Sequence, residues 1–365
     1  MNFFHTHISP RAVELAAETL RSTFISEGKR VRQFEDELSR TFGFVRPVAV
    51  NSGTSALHLA LVLAGVGPGD EVILPAQTFV ASGLVILMCG ARAVFADIQP
   101  HTGNLDPVSI RAKITPRTKA IMPVHWAGCP CDMDEINAIA REHNLAVVED
   151  AAHALGATYK GRPVGSLSRF TAFSFQAIKH LTTGDGGALC CLDEPDYEEA
   201  KRRRWFGIDR VRHQTSILGE RQYNLVSVGY KYHLNDVGAA IGLGNLPDMP
   251  ANLARHRQIS AAYRAAFTKV PGLTLLNYPA DRESSCWLFT VLVERREDFV
   301  QALQSRGVPA SVVHQRIDRN SIFGGPCREL LNQNYFDNRQ IALPVHVGLT
   351  DDDVKQVIEG VRAGW

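Results

Sequence analysis

The chain has 365 residues, more than one ordinary hydrophobic core organises, so a large domain and a smaller one are expected. A formal net charge of +1 gives no general attraction to nucleic acid or to anionic membranes, and no apolar stretch reaches the ~20 residues of a membrane span. The start Met1-Asn2-Phe3-Phe4-His5-Thr6-His7 lacks a signal peptide's layout, so a cytoplasmic location without membrane or nucleic-acid partners is expected.

Short apolar runs at 48–50, 72–74, 93–96, 120–124, 145–149 and 170–175 alternate with segments of helical period at 53–65, 79–88 and 132–143. This pattern predicts an α/β fold: a mostly parallel sheet wrapped by helices in three layers. The first run, Val48-Ala49-Val50, passes through Asn51-Ser52-Gly53-Thr54-Ser55 into a helix. Unpaired amides, hydroxyls and the positive dipole end at such a helix start suit a phosphate, although Ser and Thr there are also ordinary caps. Further along, Cys129-Pro130-Cys131 has no second Cys/His pair at zinc spacing, and the seven cysteines are too scattered for a secreted disulfide framework. No metal site is expected.

The strand-like run Leu145-Ala146-Val147-Val148 ends in Glu149-Asp150. Ligands of open α/β sheets bind beyond the carboxyl ends of strands, so Asp150 is delivered to a site edge. A carboxylate there can keep the pyridine nitrogen of pyridoxal phosphate protonated; by itself Asp150 reads equally as a helix N-cap. Lys179 follows in Ser174-Phe175-Gln176-Ala177-Ile178-Lys179-His180-Leu181-Thr182-Thr183-Gly184-Asp185-Gly186-Gly187, a glycine-closed turn after an apolar strand. That is the placement of a Schiff-base lysine, whose amine must be neutral to attack an aldehyde; the competing reading is an exposed loop lysine.

The run Lys201-Arg202-Arg203-Arg204 follows Glu198 and Glu199 at i, i+3 and i, i+4 spacings, which predicts a salt-bridged helix; with Arg210 and Arg212 it reads alternatively as a pyrophosphate-binding edge. Gly244-Asn245-Leu246-Pro247-Asp248-Met249-Pro250 breaks the pattern. Beyond it come a helical stretch from Ala251 to Phe267, a strand-rich piece from Trp287 to Glu294 and a helix from Asp351 to Arg362. The expected division is 1–246 for the large domain and 247–365 for a smaller α+β domain.

Taken in order, these segments resemble the fold-type I pyridoxal phosphate enzymes, and within them the DegT/StrS family of sugar aminotransferases. The likeness also takes in Phe24-Ile25-Ser26-Glu27-Gly28-Lys29-Arg30-Val31-Arg32-Gln33-Phe34-Glu35, Gly67-Pro68-Gly69-Asp70-Glu71-Val72-Ile73-Leu74-Pro75, Thr78-Phe79-Val80-Ala81-Ser82 and Glu149-Asp150-Ala151-Ala152-His153-Ala154-Leu155-Gly156-Ala157. Carried over residue by residue, it implies Lys179 as the lysine that holds the cofactor and Asp150 at the ring nitrogen. It implies Phe79 stacked on the ring, His153 near the phenolic oxygen, and Gly53, Thr54, Ser55 and Ser174 at the phosphate. Each has a plainer competitor, a core phenylalanine for Phe79 and a structural imidazole for His153.

The resemblance further implies a homodimer with composite sites, in which an asparagine of relatives crosses to the neighbouring phosphate. Here Lys231 or His233 stands at that place. His314 aligns with a histidine near the sugar site, but the residues after it depart from the family pattern, so it stays outside the catalytic set of Lys179, Asp150 and His153. The activity implied is ping-pong transfer from an amino acid, glutamate first and glutamine as the alternative, to a 3-keto or 4-keto-6-deoxy nucleotide-sugar. The setting would be amino-sugar synthesis for surface polysaccharide, such as lipopolysaccharide O-antigen, or for natural products. Dehydratase relatives carry histidine at the lysine position, whereas this chain keeps Lys179 and His180 merely follows it. A regulator without turnover, a cyclitol aminotransferase and a sugar dehydratase are the alternatives.

Overall fold

The computed structural model describes residues 1–209 and 214–365. Seven strands form its main sheet: β1 (Pro47–Val50), β2 (Glu71–Pro75), β3 (Arg92–Ala96), β4 (Thr118–Ile121), β5 (Ala146–Asp150), β6 (Phe170–Ser174) and β7 (Gly187–Cys191). Their spatial order is β1-β7-β6-β5-β4-β2-β3. Strands β6, β5, β4, β2 and β3 pair in parallel, and β7 alone runs against both its neighbours.

Side chains of one strand alternate between faces, and here both faces are buried. Val72 and Leu74 enter one core while Ile73 between them enters the other; Val148 and Val147 divide the same way, as do Phe170 and Phe173. Helices Gly53–Leu63 and Val80–Met88 cover the first face, and Lys29–Phe42, Met133–Glu142 and Asp236–Asn245 cover the second. Three layers result, as the alternating pattern predicts. Strand β7 escaped sequence reading because it begins in the Gly186-Gly187 pair, which reads as a turn, and only Ala188-Leu189-Cys190-Cys191 follows.

Surface ion pairs line helix Glu194–Arg203, and a buried one follows it. Lys201 pairs with Glu198 at 3.0 Å and Arg203 with Glu199 at 2.6 Å, so helix Glu194–Arg203 is salt-bridged as its spacing predicts. Arg204 instead turns inward, donating to Ala49 O at 2.9 Å and to Glu27 at 3.0 Å and pairing with Glu35, which also accepts the Ala49 amide. Arg210 and Arg212 lie outside the described residues.

A second core sits around the antiparallel strands Leu273–Leu275, Phe289–Val293 and Gln340–Leu343, packed on helices Met249–Phe267, Arg296–Ser305 and Asp351–Arg362. The last helix opens with a capping box between Thr350 and Asp353. Only a 3₁₀ turn, Leu246–Asp248, separates helix Asp236–Asn245 from Met249–Phe267. That second helix belongs to both cores: Met249 and Leu253 pack under the main sheet, while Ile259, Tyr263 and Phe267 pack in the small one. Among the described residues no helix is long and apolar enough to cross a membrane.

Candidate active site

The carboxyl ends of the parallel strands open onto a cavity of about 380 Å³. Its floor is the start of helix Gly53–Leu63, where Ser52 caps the helix by accepting the Ser55 amide at 3.0 Å. Gly53 and Thr54 line the cavity, and their first-turn amides have no partner within the helix. A side chain at Gly53 would meet Ser174 Cβ at 2.9 Å, so glycine is what lets the helix start approach β6. Ser55 is placed differently from the expectation. Its amide is taken by Ser52 and its hydroxyl donates to Asn51 Oδ1 at 2.6 Å, so Ser52 rather than Ser55 presents the hydroxyl beside Thr54 and Ser174.

Asp150 ends β5 and is 5% exposed. Its backbone is pinned on both sides, its amide donating to Pro123 O at 2.8 Å and its carbonyl accepting from His125 N at 3.1 Å. The carboxylate accepts the Ala152 amide at 3.1 Å and the Ser82 hydroxyl at 2.7 Å, and Ser82 in turn is 2.7 Å from Thr78 Oγ1. Turns rather than a helix follow Asp150, which removes the N-cap alternative.

Lys179 faces the cavity instead of solvent. Its loop is cross-tied: Phe175 N donates to Gly186 O at 2.8 Å, Thr183 N returns to Phe175 O at 3.0 Å, and Trp287 Nε1 donates to Ile178 O at 3.1 Å. The lysine Nζ lies 3.5 Å from the centroid of the Trp287 ring. Burial pushes its pKa down to about 7 against the opposing pull of Asp150, so near neutrality a large share of the amine is unprotonated.

His153 stacks on Trp287 with centroids 3.9 Å apart, and Trp126 meets it edge-on at 5.9 Å. Burial, then the Lys179 charge, hold its pKa well below the usual imidazole range, and its Nδ1 is buried without a hydrogen-bond partner. A neutral ring with one unused polar atom therefore stands beside the lysine. Phe79 is 53% exposed at the mouth, 5.0 Å from His314, so it is no core phenylalanine.

His314 lines the cavity after all, with its pKa pushed down to about 4 by burial and by Lys179. Its carbonyl accepts Gln77 Nε2 at 2.9 Å and Gln340 Nε2 at 2.7 Å, and Gln333 braces Gln77 at 2.9 Å. All three glutamines are fully buried and each side-chain NH2 is paired, while Gln333 Oε1 and Gln340 Oε1 are buried without a partner. Lys231 is exposed and neither it nor His233 lines the cavity; their segment runs beside the phosphate turn, where Asn51 N donates to Tyr232 O at 2.7 Å and Asn51 Nδ2 to Lys231 O at 3.1 Å.

Trp287, Ser52 and Ser82 were missed by sequence reading. Trp287 lies more than 100 residues beyond Lys179 in the chain, and nothing in its neighbours marks it as a site residue. The two serines were visible as helix-start hydroxyls, and only the geometry of each first turn separates them from Ser55.

These residues fit pyridoxal phosphate. Hydroxyls and first-turn amides at Ser52, Gly53, Thr54 and Ser174 line one cavity with the Asp150 carboxylate, the Lys179 amine and aromatic rings, and a side chain at position 53 would crowd Ser174.

Comparison with known proteins agrees. The profile of the DegT/DnrJ/EryC1/StrS aminotransferase family matches residues 7–362. The chain is 39% identical over 367 aligned positions to the spore coat polysaccharide biosynthesis protein SpsC of Bacillus subtilis (strain 168), covering 97% of this chain and 94% of that protein. It is 36% identical to the GDP-perosamine synthase of Caulobacter vibrioides, covering 93% and 92%. The crystal structure of the sugar aminotransferase CalS13 from Micromonospora echinospora superposes with a TM-score of 0.95 at 34% identity, covering 100% of both chains.

Proposed function

Since the chain belongs to the DegT/DnrJ/EryC1/StrS aminotransferase family and is a pyridoxal phosphate-dependent aminotransferase of sugar metabolism, we propose that it moves an amino group from L-glutamate to a keto nucleotide-sugar. The acceptor in this reading is a 4-keto-6-deoxy or 3-keto sugar, and the product feeds surface polysaccharide or natural-product synthesis. Similarity to a spore-coat polysaccharide protein and to a GDP-perosamine synthase supports it. The observation that carries it is the convergence of Lys179 and Asp150 in one cavity with a glycine-floored helix start.

When bound, pyridoxal phosphate supplies the aldehyde that takes the amino group and a ring that accepts the electron pair left by proton removal. The chain's own residues do the rest. Lys179 Nζ, neutral at working pH, takes the proton from the donor's α-carbon and returns one on the far side of the transfer. Asp150, its carboxylate held at the strand end by Ser82 and Ala152 N, would face the pyridinium N–H. Gly53, Thr54, Ser52 and Ser174 would hold the phosphate and Phe79 would cover the ring; His153 offers a neutral Nδ1 without adding positive charge beside the lysine.

The assembly in this proposal is a homodimer, with Lys231 or His233 of each protomer serving its neighbour's phosphate. The deciding experiment loads the enzyme with the amine form of the cofactor and offers a panel of keto nucleotide-sugars, following return of the aldehyde form by absorbance. A true acceptor drives that return. If none in the panel does while glutamate still converts the aldehyde form, the acceptor class is wrong. Full turnover by Lys179→Ala would overturn the site.

A further inference from the structure

The space behind Lys179, away from the cavity just described, is closed by the N-terminus of the chain. Phe4 stacks on Trp287 with ring centroids 5.7 Å apart and planes 23° from parallel, and Phe3 meets Phe4 edge-on at 4.7 Å. Three further contacts hold this strap. His346 Nε2 donates to Asn2 O at 3.0 Å, the His5 and His346 rings stack at 5.7 Å, and His7 Nε2 lies 2.8 Å from Asp248 Oδ2. Gly348 lies close under it, since a methyl group there would meet the His5 ring at 2.9 Å. Between strap and lysine remains a void of about 20 Å³, bounded by Phe4, His180, His256 and Trp287 as well as Lys179. That is room for about one water.

We propose that residues 2–7 are a positioning element for amine transfer: Phe4 holds the Trp287 indole against the Lys179 amino group and limits the space behind it to about one water. This rests on the reading of Lys179 as the transfer lysine. Phe4 touches neither the cavity nor the lysine head, so it acts through Trp287. With Phe4 cut to alanine the one-water void widens, the indole loses its backing and the amine becomes hydrated. A hydrated ammonium gives up its proton less readily. The other titratable groups around Lys179 are Asp150, His153, Asp185, His314 and His180, and those of the strap and its bed are the Met1 amine, His5, His7, Asp248, His256, His346 and Asp353.

The test uses the full-length enzyme loaded with pyridoxamine phosphate, in which the lysine amine is free. Trace acetylation with acetic anhydride across pH, read at Lys179 by peptide mass spectrometry, gives its protonation midpoint. Phe4→Ala is expected to raise that midpoint by about one pH unit or more, and Phe4→Tyr to restore it. Gly348→Ala, which pushes on the strap from the other side, should raise it as well and serves where Phe4→Ala does not fold. Equal midpoints in wild type and both displaced-strap variants overturn the strap's role while leaving the transfer reading intact. Retained turnover by Lys179→Ala overturns the transfer reading, and the strap's role falls with it.

Discussion

Lys179 works as a base only while its amine is neutral, and its surroundings bring that condition to about pH 7. The half-reaction between the amine-form enzyme and a keto acceptor, where the lysine is free, should therefore accelerate as pH rises through about 7 and then level off. Stopped-flow absorbance measures this; a midpoint near that of an ordinary lysine contradicts it. His314, with its pKa near 4, and His153, held well below the ordinary imidazole range by burial and then Lys179, should add no limb between pH 6 and 8. Ser82→Ala removes the hydroxyl from Asp150 Oδ2, a hydrogen bond to a charged group worth about 1.5–3 kcal/mol, and should slow proton removal roughly 10- to 100-fold in single-turnover kinetics. Asp150→Ala should cost several kcal/mol, on the scale of an electrostatic catalytic group, while leaving cofactor binding largely possible. Lys179 and Asp150 were legible because each stands at the end of an apolar run, where topology alone delivers a side chain to the sheet edge. Ser82 and Trp287 were not, since their roles arise from contacts between distant segments.

Helices and strands with a clean period were read within a few residues, as with β6 and the helix Asp351–Arg362. Those whose apolar face is short or carries glycine, such as β7, needed the neighbouring strands to declare themselves. The glutamine clamp joins Gln77, just after β2, to residues 314, 333 and 340 of a much later stretch of chain. Gln340→Leu should remove one of two donors from His314 O and loosen the loop that carries the imidazole, raising the acceptor KM more than it lowers kcat in steady-state assays. An unchanged KM would show that the single Gln77 contact suffices. Arg204→Met strips the cation from Glu35 at the base of β1, and breaking such a buried pair costs about 3–5 kcal/mol. Denaturant titration should show that loss in full.

At the scale of the whole molecule, helix Met249–Phe267 belongs to two cores at once. Loss of either core exposes apolar side chains of the same helix, so unfolding should be shared between them. Tryptophan fluorescence and far-UV circular dichroism are expected to report coincident urea transitions; two separated midpoints would show that the small core unfolds by itself. Pro247 and Pro250 are the grounds for proposing a division near residue 246; that the helix beyond them packs in both cores depends on contacts that no local pattern announces.

Strand β7 returns straight from the lysine turn to lie beside β6, with Phe175 and Gly186 bonded across the base of the loop. The loop is thus a short leash fastened at both ends to paired strands of the main sheet. Any travel of the amine between its two attachments must come from rotation about the four methylenes of one side chain, and a lysine shortened by a single carbon would miss its mark with no backbone slack to make up the reach.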